Sequence, residues 1–176
     1  MRIEITIPTL EQVLQQGRDV PVVPRGTKWK SSCLGVGAKL TGVYVIHHGG
    51  EVKYIGKTNG LTMHFAKRLR KHFHETSGGD IYPKLASLSV PPQVRVTLFP
   101  LHEIDKLVGL REGKLGKAQK AEIFETAMIM ALNPILQSHL MDGLVAFADK
   151  QLAAKKLTQQ GLERVIEQLT ALWKSA

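Results

Sequence analysis

The chain has 176 residues, of which 43% are apolar and 22% charged, a composition that favours one folded domain and excludes a disordered or fibrous protein. Its one cysteine, Cys33, excludes a disulfide framework and a cysteine-based zinc cluster, and it fits a reducing cytoplasm. The first residues lack a targeting pattern and no run approaches the ~20 apolar residues of a membrane span, so we expect a cytoplasmic protein without a membrane segment.

Positive charge is concentrated in the middle of the chain. The formal net charge is +9, from 24 Lys and Arg against 15 Asp and Glu. Residues 25–74 hold ten basic side chains against one acid, Glu51, and therefore carry a net +9 by themselves. This distribution favours phosphate-rich partners over cationic ones, although a solvated basic face would have the same composition.

The first forty residues are predicted to form an N-terminal extension. Residues 2–7 alternate in polarity and predict a short strand, and residues 9–16 predict a short helix with Thr9 as its N-cap. Prolines and glycines among residues 20–40 predict a loop with little regular structure.

A β-hairpin is the clearest local prediction. Residues 42–47 and 51–55 are rich in β-formers, and the intervening Gly49 and Gly50 permit the positive φ angles of a tight turn. Residues 93–99 alternate in polarity and predict a third strand.

An arginine-containing helix is predicted over residues 65–73, where apolar residues recur every four positions. Its rotation places Arg68 and His72 beside the apolar stripe, where they would meet a common ligand. The remaining basic residues are predicted to face solvent and to contact a phosphate backbone in a salt-sensitive way: Lys67, Arg70 and Lys71. Alternatively, Arg68 has only a structural role and covers the edge of the core with the aliphatic part of its side chain.

A second helix is predicted over residues 118–133, ended by Pro134. It is apolar nearly all round, so the Glu125 carboxylate needs a cation or a metal ion as a partner. A salt bridge to Arg68 with a purely structural role is the alternative to metal binding. Glu122, one turn nearer the polar start, is expected to face water. The last forty residues predict amphipathic helices that pack on the core, or less simply a dimer face.

Together these features resemble the GIY-YIG nuclease family, over residues 41–137. The first family triplet corresponds to Gly42-Val43-Tyr44, and the second corresponds to Tyr54-Ile55-Gly56, followed by Lys57 as in the excision-repair members. Arg68 matches the catalytic arginine, and His72 matches the histidine or tyrosine one turn later. Glu125 matches the metal-binding glutamate. The family asparagine is replaced by Gln137, with Asn133 nearby as a substitute.

The resemblance implies an α+β fold in which a small three-stranded antiparallel sheet is flanked by helices. It divides the chain into an extension over residues 1–40, the nuclease domain over residues 41–137 and a helical extension over residues 138–176. The last part is expected to pack on the same domain.

The resemblance also implies a metal-dependent endonuclease that uses one Mg²⁺ or Mn²⁺. Glu125 would hold the ion, and Arg68 would clamp the scissile phosphate. Tyr44 would take the proton of the attacking water, with Lys57 favouring its phenolate. Tyr54 and His72 would position the phosphate or the water, and exchanged roles for Tyr44 and His72 stay open.

The expected substrate is DNA, in a restriction, mobile-element or repair context. Substrate contacts are expected from six further residues, Lys53, Lys67, Arg70, Lys71, Asn133 and Gln137. A non-catalytic nucleic-acid-binding module, and a ribonuclease or toxin-like effector, are the alternatives. A homodimer is expected only if the protein cuts both strands.

Overall fold

The computed structural model describes residues 3–58, 62–75, 80–88, 94–110, 115–136 and 167. Within them the chain is an α+β fold whose strands form two antiparallel sheets. The strands are β1 (Ile3–Ile5), β2 (Arg18–Val20), β3 (Gly42–His48), β4 (Glu51–Lys57), β5 (Val94–Pro100) and β6 (Val108–Leu110). The α-helices are α1 (Leu10–Gln15), α2 (Phe65–Phe73), α3 (Ile81–Ala86), α4 (Leu101–Leu107) and α5 (Lys117–Leu132), and 3₁₀ turns cover Ser31–Lys39.

The main sheet has the strand order β2-β5-β3-β4, and β1 pairs separately with β6. The three predicted strands are therefore neighbours, but the expectation of a three-stranded sheet is wrong because β2 adds a fourth strand beside β5. In β2 only Val20 is buried, and three residues are too short to show an alternating pattern. The 3₁₀ turns are a second departure from the predicted loop.

The β3–β4 hairpin confirms the turn prediction. Gly49 and Gly50 adopt φ angles of 60° and 81°, which is the region that glycine enters without steric cost. The strand register pairs Tyr44 with Gly56 and shifts by a bulge between Ile46 and His47.

The two faces of the main sheet bury two separate cores. Val43, Val45 and Ile55 pack with residues of α5, including Phe124 and Met128. On the opposite face, the side chains that pack together are Tyr44, Ile46, Phe65, Leu69 and Phe73. Alternation along β3 separates the two sets, and each fully buried large apolar side chain contributes about 1.5–3 kcal/mol.

The predicted helices of the described region are confirmed. At α1, the Gln12 amide donates to Thr9 Oγ1 at 3.2 Å while the Thr9 amide donates to Gln12 Oε1 at 2.9 Å, which forms a capping box. Helix α2 has the predicted bounds. Helix α5 ends at Asn133, which adopts a left-handed conformation directly before Pro134.

Besides β2 and the 3₁₀ turns, three further short elements were not predicted: α3, α4 and β6. The predicted C-terminal helices lie outside the described residues, apart from the isolated position 167. Among the helices that the structure describes, none has the length and apolar character needed to span a membrane.

Candidate active site

Helices α2 and α5 pack on opposite faces of the main sheet, and each contributes one side chain to a cavity at its edge strand, β4. Along β4, Tyr54 packs with the α2 core while Ile55 packs with the α5 core. Since no strand lies beyond β4 in the described sheet, side chains from both faces can reach one space at this edge. There an open cavity of about 360 Å³ is lined by Tyr54, Lys57, Met63, Arg68 and Glu125.

A close approach between strands explains the glycine of the second triplet. Gly56 lies opposite Tyr44 in the register. A Cβ atom at Gly56 would overlap the Tyr44 hydroxyl and lie 2.6 Å from Tyr44 Cζ, well inside van der Waals contact. The absent side chain therefore makes room for the Tyr44 ring.

The Tyr44 hydroxyl joins the two polar residues that α2 directs toward the sheet. Its Oη lies 2.7 Å from His72 Nε2, and Arg68 Nε donates to the same oxygen at 3.3 Å. Because Arg68 is a donor, the phenolic hydrogen is left for His72, and we assign the Nδ1–H tautomer to that ring. Arg68 and His72 therefore lie on one side of α2, as predicted, with Tyr44 as their common partner. A ligand shared by the two stays a prediction.

The surroundings of Tyr44 oppose the expected phenolate. Its side chain is fully buried, and this burial raises the pKa of the phenol well above its ordinary value, with a further increase from Tyr54 and a smaller opposing effect of Arg68. Lys57, which was expected to favour the phenolate, instead forms ion pairs with Glu122 and Glu125. At neutral pH Tyr44 is therefore a protonated, buried phenol, and Tyr54 is the tyrosine that lines the cavity.

His72 is neutral at neutral pH. Burial lowers its pKa to about 4, and the charges of Arg68 and Lys71 act in the same direction. A neutral His72 ring can accept the hydrogen bond from the Tyr44 hydroxyl. The lowered pKa of His72 and the 2.7 Å contact are therefore both consistent with a neutral ring.

Lys57 connects the strand to α5 through two carboxylates. Its Nζ lies 2.6 Å from Glu125 Oε2 and 3.4 Å from Glu122 Oε1. Burial alone would lower the Lys57 pKa, but the two carboxylates together outweigh burial and raise it. Glu125 therefore has a cationic partner, as predicted. The sequence left open a salt bridge to Arg68, whereas the structure shows one to Lys57. The expectation that Glu122 faces water is wrong, since this residue is 8% exposed.

The carboxylates of Glu122 and Glu125 are suited to a hard divalent cation. Mg²⁺ is commonly held by one or two carboxylates together with waters and substrate phosphate, and this edge of the sheet offers two carboxylates beside an open cavity. Among the described residues, no group of three or more His, Cys, Asp or Glu comes together as a ligand set. An ion here would therefore depend on water and substrate oxygens, and Lys57 would have to leave Glu125.

The predicted substrate contacts fall into three groups. Lys67, Arg70 and Lys71 are exposed on α2, which confirms their predicted orientation. Lys53 is buried, pairs with Glu51 at 2.7 Å and does not line the cavity, so its contact with substrate stays a prediction. Asn133 forms the C-cap of α5 and does not line the cavity, while Gln137 lies outside the described residues.

Two members of this site were missed in the sequence. Glu122 precedes Glu125 by three positions and so shares a helix face with it, a signal that the nearly apolar surroundings of α5 could have supplied. Met63 carries no chemical signal in the sequence and enters the site through its position just before α2.

Comparison with known proteins identifies no matching family model, no matching curated protein and no matching solved structure. The resemblance to GIY-YIG nucleases therefore depends on the motif residues themselves.

Proposed function

We propose that this protein is a metal-dependent endonuclease that hydrolyses phosphodiester bonds in nucleic acid, with DNA as the principal substrate. One observation carries the proposal. Arg68 and Tyr54 from one face of the sheet, and Glu125 and Lys57 from the other, line the same open cavity at the edge of β4. The basic segment over residues 25–74, which contributes Lys57 and Arg68 to the cavity, supplies an attractive field for a polyanion.

The side chains of the cavity divide the tasks of phosphodiester hydrolysis. Arg68 binds the scissile phosphate through its planar, permanently charged donor fork. Glu125, with Glu122 beside it, would hold the divalent cation, which when bound would supply positive charge for the phosphoryl oxygens and lower the pKa of the attacking water. The Tyr54 hydroxyl orients the water or the phosphate. Tyr44, buried behind Arg68, positions the guanidinium through its 3.3 Å hydrogen bond.

A supercoiled-plasmid nicking assay with Mg²⁺ or Mn²⁺ tests the proposal. We expect metal-dependent conversion to open circles that EDTA stops and that Glu125→Gln and Arg68→Ala both abolish. Glu103→Gln is the matched control, because Glu103 is an exposed glutamate of α4 outside the cavity. Lack of cleavage on duplex, single-stranded and structured DNA would contradict a deoxyribonuclease. Cleavage of matched RNA oligonucleotides alone would identify the protein as a ribonuclease.

A non-catalytic nucleic-acid-binding module is the second candidate. The observation that favours it is the 2.6 Å ion pair between Lys57 and Glu125, since it satisfies the carboxylate without a metal. This reading predicts salt-dependent binding of oligonucleotides with no turnover at any Mg²⁺ or Mn²⁺ concentration. It also predicts that Glu125→Gln leaves oligonucleotide affinity unchanged within about twofold.

A further inference from the structure

A second cavity lies beside α2, on a side of the helix turned away from Arg68. Its volume is about 290 Å³. The cavity is lined by Trp29, Ser31, His64, Ala66, Lys67 and Arg70. None of these residues lines the candidate active site, so the two cavities are distinct features of the structure.

The walls of this second cavity carry positive charge and hydrogen-bond donors. Lys67 and Arg70 are exposed and lie three residues apart, which places them on neighbouring parts of one helix face. Lys28 and Lys30, on either side of Trp29, are exposed as well. The six lining residues include no acidic side chain. The electrostatic environment therefore favours an anion.

Trp29 lies in the wall of this cavity. The residue is 8% exposed, and its indole nitrogen, which is itself shielded from solvent, has no hydrogen-bond partner within the described part of the chain. Buried donors are usually satisfied, and an indole N–H can only donate. His64 adds a donor: its Nδ1 accepts from the Lys67 amide at 3.3 Å, which leaves Nε2 to donate. The cavity is thus rich in donors.

We propose that this second cavity binds a backbone phosphate of the nucleic-acid strand, at a distance from the scissile phosphate held at Arg68. The inference rests on the proposed function for the identity of the strand. A helix with its side chains is about 10–12 Å across. A strand that crosses α2 from one cavity to the other would therefore cover about 10–12 Å, which is more than one nucleotide step. The second site would fix the register of the strand over the active site.

Fluorescence of Trp29 tests the proposal independently of cleavage. The chain has two tryptophans, so Trp173→Phe leaves Trp29 as the sole reporter. This full-length variant is titrated in EDTA with a single-stranded oligonucleotide, and separately with inorganic phosphate. We expect both ligands to change the Trp29 emission. Lys67→Met and Arg70→Met should each weaken oligonucleotide binding about tenfold and reduce the slope of log K against log salt by about 0.7.

Lys84→Met is the matched control, since Lys84 is exposed on α3 and does not line the cavity. It should change the affinity by less than twofold. Effects of Lys67→Met and Arg70→Met no larger than that of the control would overturn the phosphate site, because only overall charge would then matter. A response to inorganic phosphate without oligonucleotide binding would overturn it in favour of a small-anion site.

Failure of this inference is distinguishable from failure of the proposed function. A wild-type protein that nicks plasmid, together with Lys67→Met and Arg70→Met variants that bind and cut normally, would overturn the second phosphate site and leave the nuclease proposal intact. Oligonucleotide binding that needs Lys67 and Arg70, in a protein that never cleaves, would support the site and overturn the nuclease.

Discussion

Lys57 Nζ lies 2.6 Å from Glu125 Oε2, which ties edge strand β4 to helix α5 across 68 positions of sequence. The pair occupies the rim of the candidate active site, and Glu122 adds a second carboxylate at 3.4 Å. The ammonium therefore holds in place the carboxylates that a divalent cation would otherwise use. The same interaction thus contributes to stability and competes with metal binding.

Replacing Lys57 with Met should destabilise the protein at neutral pH. Glu122 and Glu125 would lose their shared cation in a largely buried setting, at a cost of roughly 2–3 kcal/mol, less than for a fully buried pair. Carboxylates that lose a nearby cation take up protons more readily, so the deficit should shrink as the pH falls from 7 to 5. Urea unfolding at several pH values measures both effects.

Lys120 supplies the matched control for this variant. Its Nζ lies 2.6 Å from Asp105, the same separation, but the Asp105 side chain is 44% exposed. Lys120→Met should cost less than about 1 kcal/mol, because surface ion pairs contribute little. Equal losses in the two variants would contradict a special role for burial at Lys57.

The stability of the native protein should fall between pH 6.5 and 4 because of two buried histidines. Burial lowers the pKa of His47 and of His72 to about 4, aided by Arg95 in the first case and by Arg68 and Lys71 in the second. Between the unfolded value near 6.5 and the folded value, the unfolded chain binds more protons, so stability is lost as the pH falls. Each histidine adds at most about 1.4 kcal/mol per pH unit to the slope.

Urea unfolding of His72→Gln and His47→Gln across this pH range checks the effect. Each variant should flatten the pH dependence even where it lowers stability at pH 7. Exposed His102 serves as the control, and His102→Gln should leave the slope unchanged. An unchanged slope in both buried variants would show that other groups control the acid side of the stability curve.

Gly56→Ala should destabilise the protein and disturb Tyr44. The new methyl group would lie 2.6 Å from Tyr44 Cζ, so the ring must move or the strands must separate. We expect a loss of about 1–3 kcal/mol, as for other overpacked cores. Thermal unfolding measures it. Gly109→Ala is the control: the nearest atoms there lie 3.8 Å from the added group, so its effect should be small.

The sequence predicted those parts of the site that depend on local patterns. Helix α2 follows from a regular apolar stripe, and the β3–β4 hairpin follows from alternation and paired glycines. Strand β2 could not be recognised from the sequence. Its three residues are too few to show periodicity, and they pair with β5, which is distant in the sequence. Helix α3 contains Pro83, which reads as a loop signal although proline is tolerated in a first helical turn.

The charged partners of the site residues were harder to predict than the helices and strands. The need of Glu125 for a cation follows from its apolar helix, but the choice between Lys57 and Arg68 depends on where β4 ends relative to α5. The protonation of Tyr44 likewise depends on burial by Phe65 and Gly56, which pack against it only in the folded state. Local spacing suggests which residues take part, while their pairing requires the tertiary structure.

Comparing Tyr44→Phe with Tyr54→Phe should separate positioning from direct contact with substrate. Tyr44→Phe keeps the buried ring but removes the hydroxyl that bonds Arg68 and His72, at 3.3 Å and 2.7 Å. We expect turnover in plasmid nicking to fall about tenfold, because Arg68 loses its orientation but keeps its charge. A fall of 10²–10⁴, the size typical of a lost general base, would instead assign the proton transfer to Tyr44.

Tyr54→Phe, whose ring lines the cavity, should impair turnover at least as strongly as Tyr44→Phe does. If Tyr54→Phe cuts normally, the attacking water and the phosphate are oriented without its hydroxyl, and the position of Tyr54 in the cavity wall is a packing feature.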